Sequence, residues 1–586
     1  MTTTGSESRN HQPNFDPVGG EDRPWFEFYP EGVTRAIEVP EEQSLGDMVA
    51  RAADRYQGKT AFSNLGGTLS FTELDDYCTR VASYFTNVLG LRKGDRIVIQ
   101  MPNLLQYPIA FYGALRAGLI VVNANPLYTA SELAKVVEDS QPKAIVVMSN
   151  FASKLEKVLA SHPINNVVLT EAGDMLGQPK RSIINFAAKH IKKMVPAFSI
   201  PHSISFRELL TGDPAAFTDP KVTPEDPALL QYTGGTTGGT KAAVLTHSNL
   251  LCNQEQFIGQ IRAVMEEGNV SVIAALPLYH VFSLTVNCIG FLRFGGHNVL
   301  ITNPRDLKGF IKTIDKSNPD ALVLVSTLAA GLMDHPNFEK LDLSNVKVSV
   351  AGGMALRSAV GNRWREITGT EIIEGYGLTE ASPVVSVNPT HLPPRIGTIG
   401  VPLPSTDVKI VDDEGNPVPL GEPGELAVLG PQVMQGYWNK PEETAEVITD
   451  DGWLLTGDVA KLDADGYLQI VDRKKEIIVV SGFNVYPGDI EDAAMLHPKV
   501  AEAGAIPVND PHAGEVPKLF VVKRDASLTE EDLKAFLKQR LTGYKRPRHI
   551  EFIDELPKTN VGKVLRRGLR EIEEGRTTDA SSDDEV

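Results

Sequence analysis

Apolar residues along this chain follow two alternating rhythms. Short unbroken apolar runs in Arg96-Ile97-Val98-Ile99, Leu119-Ile120-Val121-Val122 and Ala144-Ile145-Val146-Val147-Met148 are separated by helical patterns over 104–117 and from about Ser131. Continuous apolar strands imply burial on both faces, and strand–helix–strand spacing implies a parallel sheet covered by helices. The alternation returns over 229–377, with strands predicted at 272–278, 298–301, 321–325, 347–351 and 371–374. A second wound sheet is the simplest account. Over about 397–470 the pattern shifts to short strands broken by turn clusters such as Asp413-Glu414-Gly415-Asn416-Pro417 and Asp463-Ala464-Asp465-Gly466, which predicts a β-rich part. Past Asp472-Arg473-Lys474-Lys475 the rhythm becomes α+β, with strands at 500–508, 519–522 and 550–553 and a helix whose Leu533, Phe536, Leu537 and Leu541 share one face. Pro507 inside the first of these strands predicts an edge or a bulge.

The predicted fold class is α/β. A large N-terminal body (23–472) holds two wound sheets and the β-rich part (about 397–470), followed by a small α+β C-terminal domain (473–570). Polar residues without periodicity over 1–22, and seven acidic residues against Arg576 alone over 571–586, read as disordered tails. At 586 residues, 42% of them apolar, the chain exceeds what one core can use, so a lone binding module or a disulfide scaffold is excluded. Cys78, Cys252 and Cys288 stand far apart without a CxxC pair, which argues against a zinc ribbon and fits a reducing cytoplasm.

A net charge of -18 opposes general affinity for nucleic acid, so none is expected as a partner. The start of the chain has no apolar stretch behind a basic cluster, and the apolar run 109–122 contains Arg116 and is too short to span a bilayer. Against that acidic background, residues 175–207 hold no acidic side chain. Lys180, Arg181, Lys189, Lys192 and Lys193 stand among Ile183, Ile184, Phe186, Ile191, Met194 and Val195. This insert reads either as a seat on anionic lipid or as an ordinary solvated helix.

The densest chemical signal is Tyr232-Thr233-Gly234-Gly235-Thr236-Thr237-Gly238-Gly239-Thr240-Lys241, between an apolar strand and a helix expected near His247. Glycines let backbone amides converge on one concavity, threonine hydroxyls add donors and Lys241 adds charge, which makes a polyphosphate cradle. It is not a Walker loop, because Thr240 and Ala242 occupy the positions of the required glycine and hydroxyl, so a metal ligand must come from elsewhere. A structural strand-to-helix turn is the other reading. Glu374-Gly375-Tyr376-Gly377-Leu378-Thr379-Glu380 then sets an aromatic face, a hydroxyl and a carboxylate within seven residues, and Thr456-Gly457-Asp458 offers a carboxylate that can take two ribose hydroxyls. Taken singly, these segments also read as capped turns with solvated charges.

Together and in this order the segments resemble the adenylate-forming superfamily of acyl-CoA synthetases, luciferases and peptide-synthetase adenylation domains, over about 25–570. Further segments look similar to bacterial long-chain fatty acid CoA ligases: Pro102-Asn103-Leu104-Leu105-Gln106-Tyr107-Pro108, Pro277-Leu278-Tyr279-His280, Ser481-Gly482-Phe483-Asn484 and Pro557-Lys558-Thr559-Asn560-Val561-Gly562-Lys563. The resemblance implies ATP-dependent activation of a long-chain fatty acid through an acyl-adenylate, with pyrophosphate and then AMP released, using Mg²⁺ and coenzyme A. It places Thr233, Gly234, Gly235, Thr236, Thr237, Gly238 and Lys241 around the β and γ phosphates. Gly352, Gly353, Gly375, Tyr376 and Gly377 fall at the adenine, Thr379 at the α-phosphate, Glu380 on Mg²⁺, and Asp458 with Arg473 on the ribose. Thr236, Glu380, His280 near the substrate carboxylate and Lys563 from the C-terminal domain are the catalytic candidates. Asp472 is the implied hinge, about which the small domain turns to present Ser481, Gly482 and Phe483 to the CoA thiol. A satisfied helix-cap histidine is the alternative for His280; the apolar segment 281–292 and the segment around Ser326-Thr327-Leu328 read as the lining of an acyl tunnel, with core packing as the alternative.

The family usually has glycine where Ala242 stands, which is harmless only at negative φ. Rival readings are a fatty acyl-AMP ligase serving a carrier protein, a medium-chain or aryl acid ligase, and a non-catalytic nucleotide- or acyl-binding protein. A homodimer and peripheral contact with the cytoplasmic membrane complete the expected partners.

Overall fold

The computed structural model describes residues 21–233, 241–510, 512–558 and 564–575. The tail readings over 1–20 and 576–586 therefore lie outside the described residues. Residues 571–573, assigned to the acidic tail from composition, are not tail: they form the end of the helix Arg566–Glu573, and Glu573 pairs with Lys518.

The first wound sheet has eight described strands, in the order Ile204–Ser205, Asn166–Thr170, Ala144–Met148, Arg96–Gln100, Ile120–Asn123, Pro227–Thr233, Lys241–Thr246 and Gly436–Tyr437. Pairing is parallel as far as Pro227–Thr233 and antiparallel beyond it. The second has nine, in the order Gly67–Ser70, Thr60–Asn64, His297–Leu300, Ser271–Ala274, Ala321–Leu324, Val348–Ala351, Ile372–Gly377, Val384–Val387 and Val401–Pro402. Two details differ from the sequence expectation. The strand at 229 belongs to the first sheet, because its partner is Ile120–Asn123, and the second sheet takes its far edge from the early hairpin at 60–70. Both are non-local pairings that a hydrophobic period cannot reveal.

The two sheets are stitched by the segment around Asn103. Its side-chain amide donates to the carbonyls of Ala274 and Leu276 and accepts from the Leu278 amide. Tyr107 donates to the Leu278 carbonyl at 2.8 Å and Tyr112 to the Cys288 carbonyl at 2.6 Å. Both tyrosines sit on Gln106–Arg116, a helix buried along its whole length up to Arg116, as expected of an element apolar all round and packed inside a large body.

The β-rich part contains a four-stranded antiparallel sheet, Asp407–Val411, Gly424–Leu429, Leu454–Leu462 and Leu468–Arg473. The last unit is a separate five-stranded sheet over its own apolar core of Ile478, Val485, Leu519, Leu533 and Leu537. Its strand Val500–Asp510 lies at the edge, the position expected from Pro507, which faces Pro517 of Gly514–Lys523.

Candidate active site

The parallel strands of both sheets end at one cavity of about 830 Å³, the location at which α/β sheets ordinarily hold ligands. Thr233 closes Pro227–Thr233, and Lys241 opens the next strand as its register partner. The glycine- and threonine-rich stretch is therefore the loop of an antiparallel hairpin, not a strand-to-helix turn. Gly234, Gly235, Thr236, Thr237 and Gly238 lie outside the described residues, as does Lys563. Ala242 sits in regular strand, away from the left-handed region, and its carbonyl accepts from the Trp438 amide. The Cβ is thus accommodated.

Local capping chemistry brings in a residue that sequence reading passed over. Thr246 and Asn249 form a capping box at the start of the helix His247–Arg262, and the free amide of Asn249 donates to the carbonyls of Pro431 and Val433. That tether carries the strand Gly436–Tyr437 against Lys241–Thr246. Tyr437 then donates to Glu380 Oε1 at 2.8 Å, while Lys241 Nζ stands 5.1 Å from the centre of its ring. Its only sequence signal was an aromatic pair, Tyr437-Trp438, after a glycine.

On the opposite wall, Gly352 and Gly353 follow Val348–Ala351, and Gly375, Tyr376 and Gly377 end Ile372–Gly377. Space demands glycine here. A Cβ at Gly352 would stand 3.1 Å from the Phe282 ring, and one at Gly377 would stand 2.1 Å from the Pro383 carbonyl oxygen. What remains is a slot walled by peptide planes and the Tyr376 ring. The Tyr376 hydroxyl donates to Asp458 Oδ2 at 2.5 Å, and Arg473 Nε lies 2.8 Å from Asp458 Oδ1. Burial, followed by the Asp458 charge, pushes the Tyr376 hydroxyl well above the ordinary phenol range, so it stays a donor. Thr379 and Glu380 occupy the short turn after the strand and line the same cavity.

Part of the cavity lining is apolar, with Phe257, Phe282, Val286, Val384 and Val387 drawn from one hydrophobic cluster, and part is charged, with Lys241, Glu380, Arg473 and Lys475. Burial, then Arg473, pushes the Lys475 ammonium below its usual value. His280 lies on the lining and is also a cap, its Nδ1 accepting from the Phe282 amide at 3.4 Å. The helix-cap reading of this residue therefore holds. Burial pushes its pKa down to about 4, so the ring is neutral near pH 7, and an accepting Nδ1 leaves the proton on Nε2 as a donor. Of the apolar segment, Val281, Phe282 and Val286 line the cavity, whereas Leu284, Ile289 and Leu292 pack in the core. Ser326, Thr327 and Leu328 do not line it.

Ser481, Gly482 and Phe483 lie away from the cavity lining, Phe483 exposed and stacked on Tyr544 with ring centres 4.9 Å apart. Asp472 is buried beneath the site. From the last unit, Val564, Leu565 and Arg566 reach the cavity, which sequence reading had not singled out. Among the described residues no cluster of three or more His, Cys, Asp or Glu side chains could hold a metal.

A family model described as AMP-binding enzyme matches residues 49–438, and one described as AMP-binding enzyme C-terminal domain matches residues 489–563. The chain is 49% identical over 553 residues to a long-chain-fatty-acid–CoA ligase of Escherichia coli O6:H1 and 50% identical over 552 residues to one of Haemophilus influenzae. Each match covers 94% of this chain and 98% of the relative. Similar solved structures include ATP-bound MatB from Rhodopseudomonas palustris, with TM-score 0.79 and 27% identity over 90% of this chain and 98% of that one. Another is the anthranilate CoA ligase AuaEII in complex with anthranoyl-AMP, with TM-score 0.80 and 25% identity over 91% and 98%.

The depressed His280 pKa has a measurable consequence. The fold favours the neutral ring, so its stabilisation is complete above the unfolded value of about 6.5 and is lost as pH falls toward 4. Urea unfolding should show His280→Gln losing about 3 kcal/mol less stability than the parent protein between pH 6.5 and 4. Equal acid sensitivity in the two proteins would contradict the buried, neutral assignment.

Proposed function

The chain belongs to the AMP-binding enzyme family and carries out ATP-dependent acyl-CoA formation through an adenylate; from that premise we propose how its residues divide the work. It is an AMP-forming ligase for long-chain fatty acids. The observation that carries the assignment of roles is that one cavity is lined both by a cluster of apolar side chains and by Lys241, Glu380, Arg473 and Lys475.

A fatty carboxylate is ionised at neutral pH, so it attacks the α-phosphorus without a base. The protein has to neutralise charge and align the groups. In this reading Thr233, Lys241 and the loop between them receive the β and γ phosphates, and Thr379 the α-phosphate. The adenine takes the slot between Gly352-Gly353 and Tyr376, and the ribose hydroxyls compete with Tyr376 for Asp458, beside Arg473. The Nε2–H of His280 supports the acyl carboxylate where the apolar end begins. Pyrophosphate leaves, and the CoA thiol then attacks the adenylate carbonyl with AMP as the leaving group.

Glu380 is the fitting residue for Mg²⁺, since that ion is ordinarily bound by one or two carboxylates together with substrate phosphates. Tyr437 fixes one Glu380 oxygen and leaves the other for the ion. When bound, the ion would offset phosphate charge beside Lys241. We also assign residues from about 473 to 570 to a unit that turns about Asp472 between the two steps, bringing Lys563 to the nucleotide in the first and the Ser481-Gly482-Phe483 loop to the thiol in the second.

Membrane contact fits the same substrate. The basic insert forms the helices Lys180–Phe186 and Ala187–Ile191, and Ile183, Phe186, Ile191 and Met194 are all exposed among its lysines. In a protein of net charge -18, cations around exposed apolar side chains match an anionic lipid surface, where long-chain acids partition. No helix of the described residues is long and apolar enough to cross a membrane.

Two measurements test these assignments. CoA-dependent AMP release, followed across a saturated acid series with acetate and benzoate as controls, should show KM falling about fourfold per added methylene until the apolar end is filled, from about 0.8 kcal/mol per buried CH₂. Faster turnover of benzoate or acetate than of any long acid, or no AMP release, would contradict the assignment. In flotation with anionic liposomes the parent protein should rise with the vesicles, and a variant with Lys189, Lys192 and Lys193 changed to Glu should stay below. Equal behaviour of the two would remove the membrane role.

A further inference from the structure

The last strand of the antiparallel sheet, Leu468–Arg473, ends in two charged residues that serve opposite sides. Successive side chains of a strand point to opposite faces. Arg473 turns to Asp458 and the cavity, and Asp472 turns to the C-terminal unit. Asp472 Oδ2 accepts from the Gly488 amide at 2.8 Å, and its Oδ1 lies 3.0 Å from Arg566 Nη1.

Arg566 has every guanidinium nitrogen engaged. Nη1 takes Asp472, Nε donates to Glu491 Oε1 at 3.2 Å, and Nη2 reaches Glu491 Oε1 at 2.9 Å and Oε2 at 3.1 Å. Glu491 is fixed within the C-terminal unit, where it also accepts from the Ala505 amide at 2.9 Å. Side-chain exposure of the trio is 16% for Arg566, 4% for Asp472 and 19% for Glu491, so water screens the contacts little. One helical turn on, Arg570 pairs with Glu476, which is buried. Arginines four apart on the helix thus meet carboxylates four apart at the junction, 566 with 472 and 570 with 476. Each of the three guanidinium nitrogens thus already meets a carboxylate, although Arg566 stands on the cavity lining.

We infer that Arg566 is a positioning residue for adenylate formation: by bridging Asp472 of the body to Glu491 of the C-terminal unit, it latches the start of the helix Arg566–Glu573 at the cavity. The chain entering that helix comes directly from Lys563, three residues earlier, so the latch sets where Lys563 is delivered, within about 10 Å of Arg566. The second half-reaction, for which the unit turns away, does not need it. This rests on the adenylation reading above and adds to it a residue which that reading does not require.

The test uses the full-length chain carrying Arg566→Ala or Arg566→Lys. Pyrophosphate release from ATP and a fatty acid should fall about a hundredfold in Arg566→Ala, the size expected when a reacting group is displaced by about 1 Å. Thioester formation from preformed acyl-adenylate and CoA should stay within about twofold of the parent. Arg566→Lys keeps a charge beside Asp472 but not the planar bridge to Glu491, and should recover part of the first rate. If Arg566→Ala does not fold, as judged by its melting transition, Arg566→Lys carries the test with the same split at smaller amplitude. Equal loss of both half-reactions, or an undiminished first one, would overturn the inference. A parent protein that releases no pyrophosphate with any fatty acid would instead refute the adenylation reading and take the latch with it.

Discussion

The structure turns on Asp458 and, facing it across the sheet, the strand end Asp472-Arg473, where one set of charges faces both the cavity and the C-terminal unit. Asp458 lies beneath Tyr376 from the second wound sheet and pairs with Arg473 of its own sheet, so it ties the slot wall to the β-rich part. Asp472, one residue away and on the other face, holds Arg566. Removing Arg566 from its largely buried pair with Asp472 costs about 3–5 kcal/mol, because the remaining charge is left without compensation. The cavity and the seat of the C-terminal unit are therefore not independent features joined by a linker. They are two faces of the same pair of residues.

The chemistry explains why charge is concentrated there. Bringing an ionised carboxylate to a polyphosphate sets like charges together, in a protein whose net charge of -18 adds to the repulsion. The cavity lining supplies Lys241, Arg473 and Lys475, while Glu380 is restrained by Tyr437 so that its carboxylate is available on one side only. The same lining carries an apolar group of side chains and a neutral His280. In the proposed reading the acyl chain and the triphosphate meet groups of opposite character within a single cavity.

Much of this was legible in the residues. Strands buried on both faces, such as Ala144–Met148, announce themselves as continuous apolar runs, and the glycines at 352, 375 and 377 mark positions where a Cβ would crowd its neighbours. Sheet membership was not legible, because the pairing of Pro227–Thr233 with Ile120–Asn123 joins segments about a hundred residues apart. Tyr437 and Arg566 were missed for the same reason. Each acts through a tertiary tether, Asn249 to Pro431 and Val433 for the first and Asp472 with Glu491 for the second, and neither tether leaves a local pattern. Asn103 and Tyr107 had been noted only as family-like residues, and prove to be the stitching between the two wound sheets.

The central claim is that one cavity serves both half-reactions and that the C-terminal unit supplies Lys563 to the first alone. The most direct measurement compares the parent protein with Lys563→Ala in two assays on the same preparation. One is pyrophosphate release with ATP and fatty acid in the absence of CoA; the other is acyl-CoA formation from synthetic acyl-adenylate. The account predicts that the variant loses the first and keeps the second. Loss of both in equal measure, or retention of the first, would contradict it.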